Sequence, residues 1–166
     1  VTAVALRPVG PDDRDRILAW RNDPAVAAQM YSDHLITPEE HAAWFARFLS
    51  DPDRAGRIIE ADGKAVGFLS LAGIRSPERR AEWAWYIGEA SARGLGVGRA
   101  AQALALEEAF GPMGLREVWS QVLADNAAAL KSQRAAGFVD EAVWPAHVVK
   151  GGAPRDVVLL AIKAPA

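Results

Sequence analysis

The sequence predicts an α/β domain built around one mixed sheet, and three observations carry that prediction. The chain has 166 residues, 51% hydrophobic and 24% charged, which suits one compact domain rather than two. Its apolar periodicity switches between about 3.6 and 2 residues. The elements so marked run strand, two or three helices, three strands, helix, strand, helix, two strands. Val4 to Leu6 opens as a short strand, stopped by Pro8 and the Gly10-Pro11 turn. Asp12 or Asp13 starts a helix that runs to about Arg21, with Ile17, Leu18 and Trp20 on one face. Asp23-Pro24 reads as an N-cap followed by proline at the first helical position, giving a short helix over Ala25 to Gln29. Met30 to His34 has no period and is a loop.

Thr37-Pro38-Glu39-Glu40 combines a capping threonine, a first-turn proline and a capping-box glutamate. The helix it starts carries Trp44, Phe45, Phe48 and Leu49 at helical spacing and ends near Ser50. Arg57 to Ala61 and Lys64 to Ala72 form a hairpin across a two-residue primed turn at Asp62-Gly63. Glu82 to Ile87 is a strand with Trp83, Trp85 and Ile87 on one face. Val97 to Phe110 is helix, Glu117 to Leu123 strand, Ala127 to Ala136 helix and Phe138 to Val149 strand. Gly151-Gly152 turns the chain into a last strand, Asp156 to Ile162.

Composition removes several function classes. With 19 basic and 21 acidic side chains the net charge is −2, whereas a duplex-binding module usually carries a basic footprint. The absence of cysteine excludes a Cys nucleophile, Cys-ligated zinc, iron–sulfur clusters and disulfides. No apolar run approaches the roughly 18 residues of a membrane span, and the N-terminus shows no basic-then-apolar leader. The expectation is a soluble cytoplasmic domain with no membrane, nucleic-acid or metal partner.

The chemistry-bearing segment is Trp85 to Ala100, where a strand ends, a glycine-rich turn follows and a helix begins. Gly94, Gly96 and Gly98 let backbone N–H groups converge at the positive end of a helix, a cradle for pyrophosphate flanked by Arg93 and Arg99. The plainer alternative is that these glycines only make a tight strand-to-helix turn. Gly96-x-Gly98-x-x-Ala101 formally fits a dinucleotide fingerprint, but too few strand–helix units follow it for a full doubly wound sheet.

Arg93-x-x-Gly96-x-Gly98 resembles the acetyl-CoA loop of the GNAT acetyltransferase superfamily. Asn126-Ala127-Ala128-Ala129-Leu130 and Ala136-Gly137-Phe138 resemble that superfamily's last motif block. With the element order, the resemblance covers nearly the whole chain, so residues 1–166 would be a single GNAT domain. It implies a mixed central sheet with two splayed parallel strands and helices on both faces. It implies acetyl-CoA as co-substrate, bound through Tyr86, Ile87, Arg93, Gly94, Gly96, Gly98, Arg99 and Asn126. The coenzyme's arm would lie between the segments 83–87 and 118–123, and a backbone N–H near Tyr86 or Ile87 would polarise the thioester carbonyl. An amine attacks directly, so no protein nucleophile is needed. The sequence departs from the pattern at Gln133, where many relatives place a tyrosine that protonates the leaving thiolate. Tyr31, Tyr86, Ser132 or water would have to substitute.

On the acceptor side, Trp20-Arg21-Asn22-x-Pro24, Met30-Tyr31-x-x-His34 and Glu39-Glu40-His41 resemble the PseH-type enzymes. Those acetylate the 4-amino group of a UDP-linked 4-amino-4,6-dideoxy sugar in pseudaminic acid synthesis. The resemblance places Arg21, Met30, Tyr31 and His41 in the pocket for a nucleotide-sugar substrate. Glu82 lies in an Ala81-Glu82 pair that resembles one in related N-terminal acetyltransferases, which would make it the base that deprotonates the ammonium through a water, with His41 or Tyr31 as further catalytic candidates. Each has a plainer alternative: Arg21 pairing with Asp23, His41 packed in the core, Glu82 solvated on its strand. Trp20 and Trp44 read as core anchors, His34 as a substrate contact or a solvated side chain, and His147 as having no role. The arginine-rich Arg75–Arg80 loop could steer a diphosphate or be a solvated hairpin tip. Two rival readings remain: a ribosomal-protein-type acetyltransferase of N-terminal alanine or serine, and a non-catalytic acyl-CoA-binding module. The last two strands offer an edge for a homodimer.

Overall fold

Asp62 and Gly63 both take positive φ, 49° and 77°, and close a primed hairpin between β2 (Arg54–Ala61) and β3 (Lys64–Ala72). The computed structural model describes residues 1–166. The remaining strands are β1 (Val4–Pro8), β4 (Arg80–Ile87), β5 (Glu117–Leu123), β6 (Val139–Lys150) and β7 (Ala153–Lys163). They form one seven-stranded sheet in the order β1-β2-β3-β4-β5-β7-β6. β1 runs past the expected stop at Leu6 because it is an edge strand, where Pro8 need not donate to a neighbour. β7 begins before Asp156 for a related reason. Pro154 faces Val149 of β6, while β5 reaches β7 only from Val157 onward.

The helices are α1 (Arg14–Asn22), α2 (Pro24–Ala27), α3 (Pro38–Ser50), α4 (Val97–Phe110) and α5 (Ala127–Ala135). Their starts follow the capping chemistry. Asp23 accepts from the Ala25 N–H at 2.9 Å, and Thr37 accepts from the Glu40 N–H at 3.2 Å. A 3₁₀ turn at Pro11–Asp13 leads into α1 and puts Asp13 in the interior. The guanidinium of Arg7 grips both Asp13 oxygens at 2.8 and 2.9 Å, and the Gly10 N–H adds a third bond at 2.8 Å.

Period-2 alternation divides the core between the two faces of the sheet. Ile59, Leu69, Leu71, Trp83 and Val118 pack with Val97, Ala101 and Ala105 of α4. Their neighbours Ile58 and Phe68 pack on the opposite face with Ile17 and Trp20 of α1 and Phe45 and Phe48 of α3. Each fully buried valine, leucine, isoleucine or phenylalanine among them contributes about 1.5–3 kcal/mol. Leu49, expected on the apolar stripe of α3, is 43% exposed, because the buried line of that helix runs through His41, Phe45 and Phe48. No helix is long and apolar enough to cross a membrane, and no group of His, Asp and Glu side chains is placed to hold a metal.

One feature of the sheet positions the site. β4 and β5 are parallel neighbours but pair only through Arg80–Glu117, Ala81–Val118 and Glu82–Trp119. Beyond Glu82 the strands part, leaving the backbone edges of 83–87 and 120–123 facing each other across a cleft.

Candidate active site

The cleft is a cavity of about 510 Å³ walled by the parted strands, the 93–98 loop and the start of α5. Gly94 and Gly96 hold φ of 75° and 79°, and no atom lies within 4 Å of where a Cβ on either would stand. Gly96 caps the N-terminus of α4, whose first residues, Val97 and Gly98, line the cleft with it. Open backbone donors at a helix start suit the pyrophosphate of a coenzyme. Gly96→Val would force a β-branched side chain into a left-handed backbone and crowd the cradle. Acetyl-CoA affinity should fall at least tenfold, about 1.4 kcal/mol, by calorimetry on folded protein; an unchanged affinity would remove the cradle from the binding site.

Two residues of this loop do something the motif alone does not reveal. Arg93 turns its guanidinium back onto the carbonyls of Ile87 and Gly88, at 3.0 and 3.1 Å, and so ties the loop to the end of β4. At Gly98 a Cβ would stand 3.0 Å from the Trp85 ring, so this glycine lets α4 rest on Trp85. Arg99 is exposed beside the cradle. Asn126 caps α5 by accepting from the Ala129 N–H at 3.2 Å and lines the cleft. The Gly88 N–H bonds the Val66 carbonyl at 2.8 Å, so ladder alternation directs the Ile87 N–H away from β3 and toward the cleft. Gln133 is buried, and its Oε1 accepts from the Trp83 indole at 3.4 Å. An amide there supplies no proton. Ser132 lines the cleft, its hydroxyl accepting from Gln102 at 2.8 Å.

A second cavity, about 380 Å³, adjoins the cleft and shares Met30, Ala84 and Tyr86 with it. Its apolar wall is Ile17, Ile36, Trp44 and Phe68; its polar residues include Arg21, Glu40, His41 and Arg47. Arg21 is half-buried and donates to Ser32 Oγ at 2.7 Å. Burial pulls its pKa below the usual arginine value, against the opposing influence of Tyr86 and Glu40. The Tyr86 hydroxyl is itself pushed well above the usual phenol range by burial. Glu40 is held by His34 Nε2 at 2.9 Å. His41 is 4% exposed, stacked on Trp44 and Phe45, with Nε2 at 2.7 Å from the Arg14 carbonyl. One ring nitrogen is thus spent on α1.

Tyr31 and Glu82 meet through a residue that sequence reasoning missed. The Tyr31 hydroxyl donates to Gln121 Oε1 at 2.7 Å, and Gln121 Nε2 donates to Glu82 Oε2 at 3.4 Å. Burial raises the Glu82 pKa, while Gln121 and Arg54 pull it down. Burial and the Glu82 charge push Tyr31 up to about 12. The one sequence signal for Gln121 was a lone amide among Val118, Trp119, Val122 and Leu123. His147 packs edge-on against Tyr31 at 6.5 Å. Arg80 pairs with Glu117 at 3.2 Å and lies over Trp119, so it is committed to the sheet.

The loop between α2 and α3 is held from several sides. Lys150 donates to the carbonyls of Ala27 and Ser32 at 3.2 and 3.0 Å and contacts Asp33 at 3.3 Å. The Gly151 N–H donates to the other Asp33 oxygen at 2.9 Å, and Asn22 brackets Ile36 with two bonds.

Residues 4–139 match the family described as acetyltransferase (GNAT) domain. Among solved structures, the chain is similar to the spermidine N-acetyltransferase of Vibrio cholerae in complex with CoA and spermine. That likeness has 21% identity over 96% of this chain and 95% of the other, with a TM-score of 0.89. It is also similar to Mycobacterium smegmatis RimJ in complex with CoA-disulfide, at 22% identity over 97% and 82%, with a TM-score of 0.82. No curated protein matches by sequence. A cleft between parting parallel strands, ended by a glycine cradle, is the shape an acyl thioester with a long coenzyme handle requires. Joined to a family match over most of its length, it makes this chain a member of the GNAT acetyltransferase family, an enzyme that uses acetyl-CoA to acetylate an amine.

Proposed function

We propose that residues 1–166 act as one catalytic domain that acetylates the 4-amino group of a UDP-linked 4-amino-4,6-dideoxy sugar. The observation that supports this acceptor is the cavity of about 380 Å³ beside the cleft, apolar along Ile17, Ile36, Trp44 and Phe68 and cationic at Arg21 and Arg47. The apolar wall suits a deoxygenated sugar face, and guanidinium groups suit a diphosphate. A polyamine would instead meet two like charges and a carboxylate, Glu40, already engaged by His34.

Acetyl-CoA supplies an acetyl thioester: the N–C bond forms as the C–S bond breaks, the amine gives up a proton and the departing sulfur takes one. Gly94, Gly96, Arg99 and Asn126 hold the coenzyme, with Arg93 fixing the loop's shape. The Ile87 N–H donates to the carbonyl oxygen as charge develops there, and Tyr86 separates coenzyme cleft from acceptor cavity. Glu82 takes the amine proton through a water. Met30 walls the sugar's cavity, Tyr31 follows it on the same loop but outside the cavity lining, Arg21 takes phosphate, and the free nitrogen of His41 takes a sugar hydroxyl. A thiol of pKa about 8.5 departs without a strong acid, so Gln133 leaves turnover intact.

The Ala81-Glu82 pair, which resembles one in N-terminal acetyltransferases, favours a second reading, acetylation of a protein N-terminus. A peptide needs an open groove, whereas Lys150 and Gly151 fasten the loop that walls this cavity. The test is release of free CoA with UDP-4-amino sugars, N-terminal Ala and Ser peptides, and spermidine. The sugar nucleotide should be preferred. Arg21→Ala should lower its kcat/KM by about ten- to a hundredfold, as for a lost charged hydrogen bond, with acetyl-CoA affinity unchanged. Preference for a peptide would put the second reading in place of the first.

A further inference from the structure

We propose that Gln121 is a positioning residue whose amide joins Tyr31 and Glu82 into one bridge across the point where β4 and β5 part. The inference rests on the reading of Glu82 as the base and assigns what aims it. Glu82 lies in the last paired register of the two strands, opposite Trp119, and Gln121 lies two residues further along β5 on the same face. From there its amide has one end on each partner, 2.7 Å from the Tyr31 hydroxyl and 3.4 Å from the Glu82 carboxylate.

The chemistry of the three groups allows one productive orientation. An ionised carboxylate only accepts, so it must face the amide NH₂. The amide oxygen then faces Tyr31, whose phenol donates to it. The opposite flip would set the amide oxygen against the carboxylate, two acceptors with no proton between them. Gln121 therefore reads the charge on Glu82 and passes a fixed polarity to the acceptor loop. A loop displaced from its clamp would withdraw Tyr31 and loosen the base at the same time.

Few other groups act on Glu82. Arg54 of β2 faces it across β3, in register through Ala72, and favours the ionised form. Arg80, two residues earlier on β4, is occupied by Glu117 and Trp119. Tyr31 is the titratable group on the loop side. Burial opposes ionisation, and the amide hydrogen bond is the nearest force against it. Without that donor, Glu82 holds its proton to higher pH.

The experiment is kcat/KM against pH for the full chain, using whichever amine the free-CoA screen finds best. Two variants are informative. Gln121→Met keeps the length and removes the amide. Gln121→Glu keeps an acceptor for Tyr31 but replaces the donor to Glu82 with a second carboxylate. The acidic limb should move up by about one pH unit in the methionine variant and further in the glutamate variant. Activity should recover toward wild type above the shifted limb. Either variant alone suffices where the other does not fold. Glu82→Gln is the control that separates this inference from the one beneath it. If the limb vanishes in Glu82→Gln yet stays in place in the Gln121 variants, Gln121 has no positioning role and Glu82 stands as the base. A limb that persists in Glu82→Gln overturns both.

Discussion

Glu82→Gln should lower kcat/KM by about a hundred- to ten-thousandfold near neutral pH, the range for loss of a general base, without weakening acetyl-CoA binding. Glu82 is half-buried at the mouth of the parted strands, and burial holds its carboxyl above the usual glutamate range. A base works only once it has lost its proton. Wild-type activity should therefore fall with acidification at a pH above the ordinary glutamate value of about 4.3, a limb absent from the variant. Stability should move the other way. A carboxyl whose folded pKa is raised stabilises the fold only at low pH, and loses that contribution as pH rises through the folded value. At pH 7 the neutral amide removes the cost of a half-buried charge, so the variant should unfold at the same temperature or a higher one. Turnover within threefold of wild type would show that the amine loses its proton elsewhere.

Asp13→Ala should cost about 1.5–3 kcal/mol of unfolding free energy at pH 7, the range for hydrogen bonds to a charged group, because the carboxylate is buried while its partner Arg7 is 36% exposed. Asp13 is 2% exposed and answers Arg7 through both oxygens, while Arg7 also holds Glu60 at 2.8 Å. Removing the carboxylate leaves the guanidinium with Glu60 and solvent, and the Gly10 N–H without its acceptor. The Arg7 guanidinium holds the Asp13 carboxyl below the usual aspartate range. A lowered folded pKa gives stability that is complete above the unfolded value, about 3.9, and is lost as pH falls through the folded one. Urea denaturation should show a wide gap between wild type and variant at pH 7 and a narrower one below pH 4. Equal midpoints at pH 7 would mean that solvent reaching Arg7 screens the pair to nothing.

Local chemistry made much of the fold readable. Asp23-Pro24, Thr37-Pro38 and Asp62-Gly63 act within a few residues of themselves, and the structure follows each. The alternation that splits Ile58 from Ile59 is equally local. The parting of β4 and β5 is different in kind: no spacing in either strand encodes it, and only the family resemblance of the 93–98 loop foretold it. Within the candidate site, residue types were legible but their commitments were not. His41 is held by a carbonyl 27 residues away and Tyr31 by an amide 90 residues away, and no pattern along the chain announces such partners. Gly98 shows the same limit. Its place in the motif puts it on the cleft, and the ring of Trp85 beneath it is a second reason for glycine that no spacing announces.

The clamp of Lys150 and Gly151 on the Asp33 loop has a consequence in time. Every residue walling the coenzyme cleft has been synthesised once the chain reaches Gln133, but Asp33 waits for partners 117 and 118 positions downstream. Contacts of such long separation come late, because closing the loop between them costs entropy before any bond repays it. The Lys150 ammonium can reach its carbonyls only after β7 has slotted between β5 and β6. A refolding chain should therefore fasten the Asp33 loop only after β6 and β7 have paired and joined the sheet through β5.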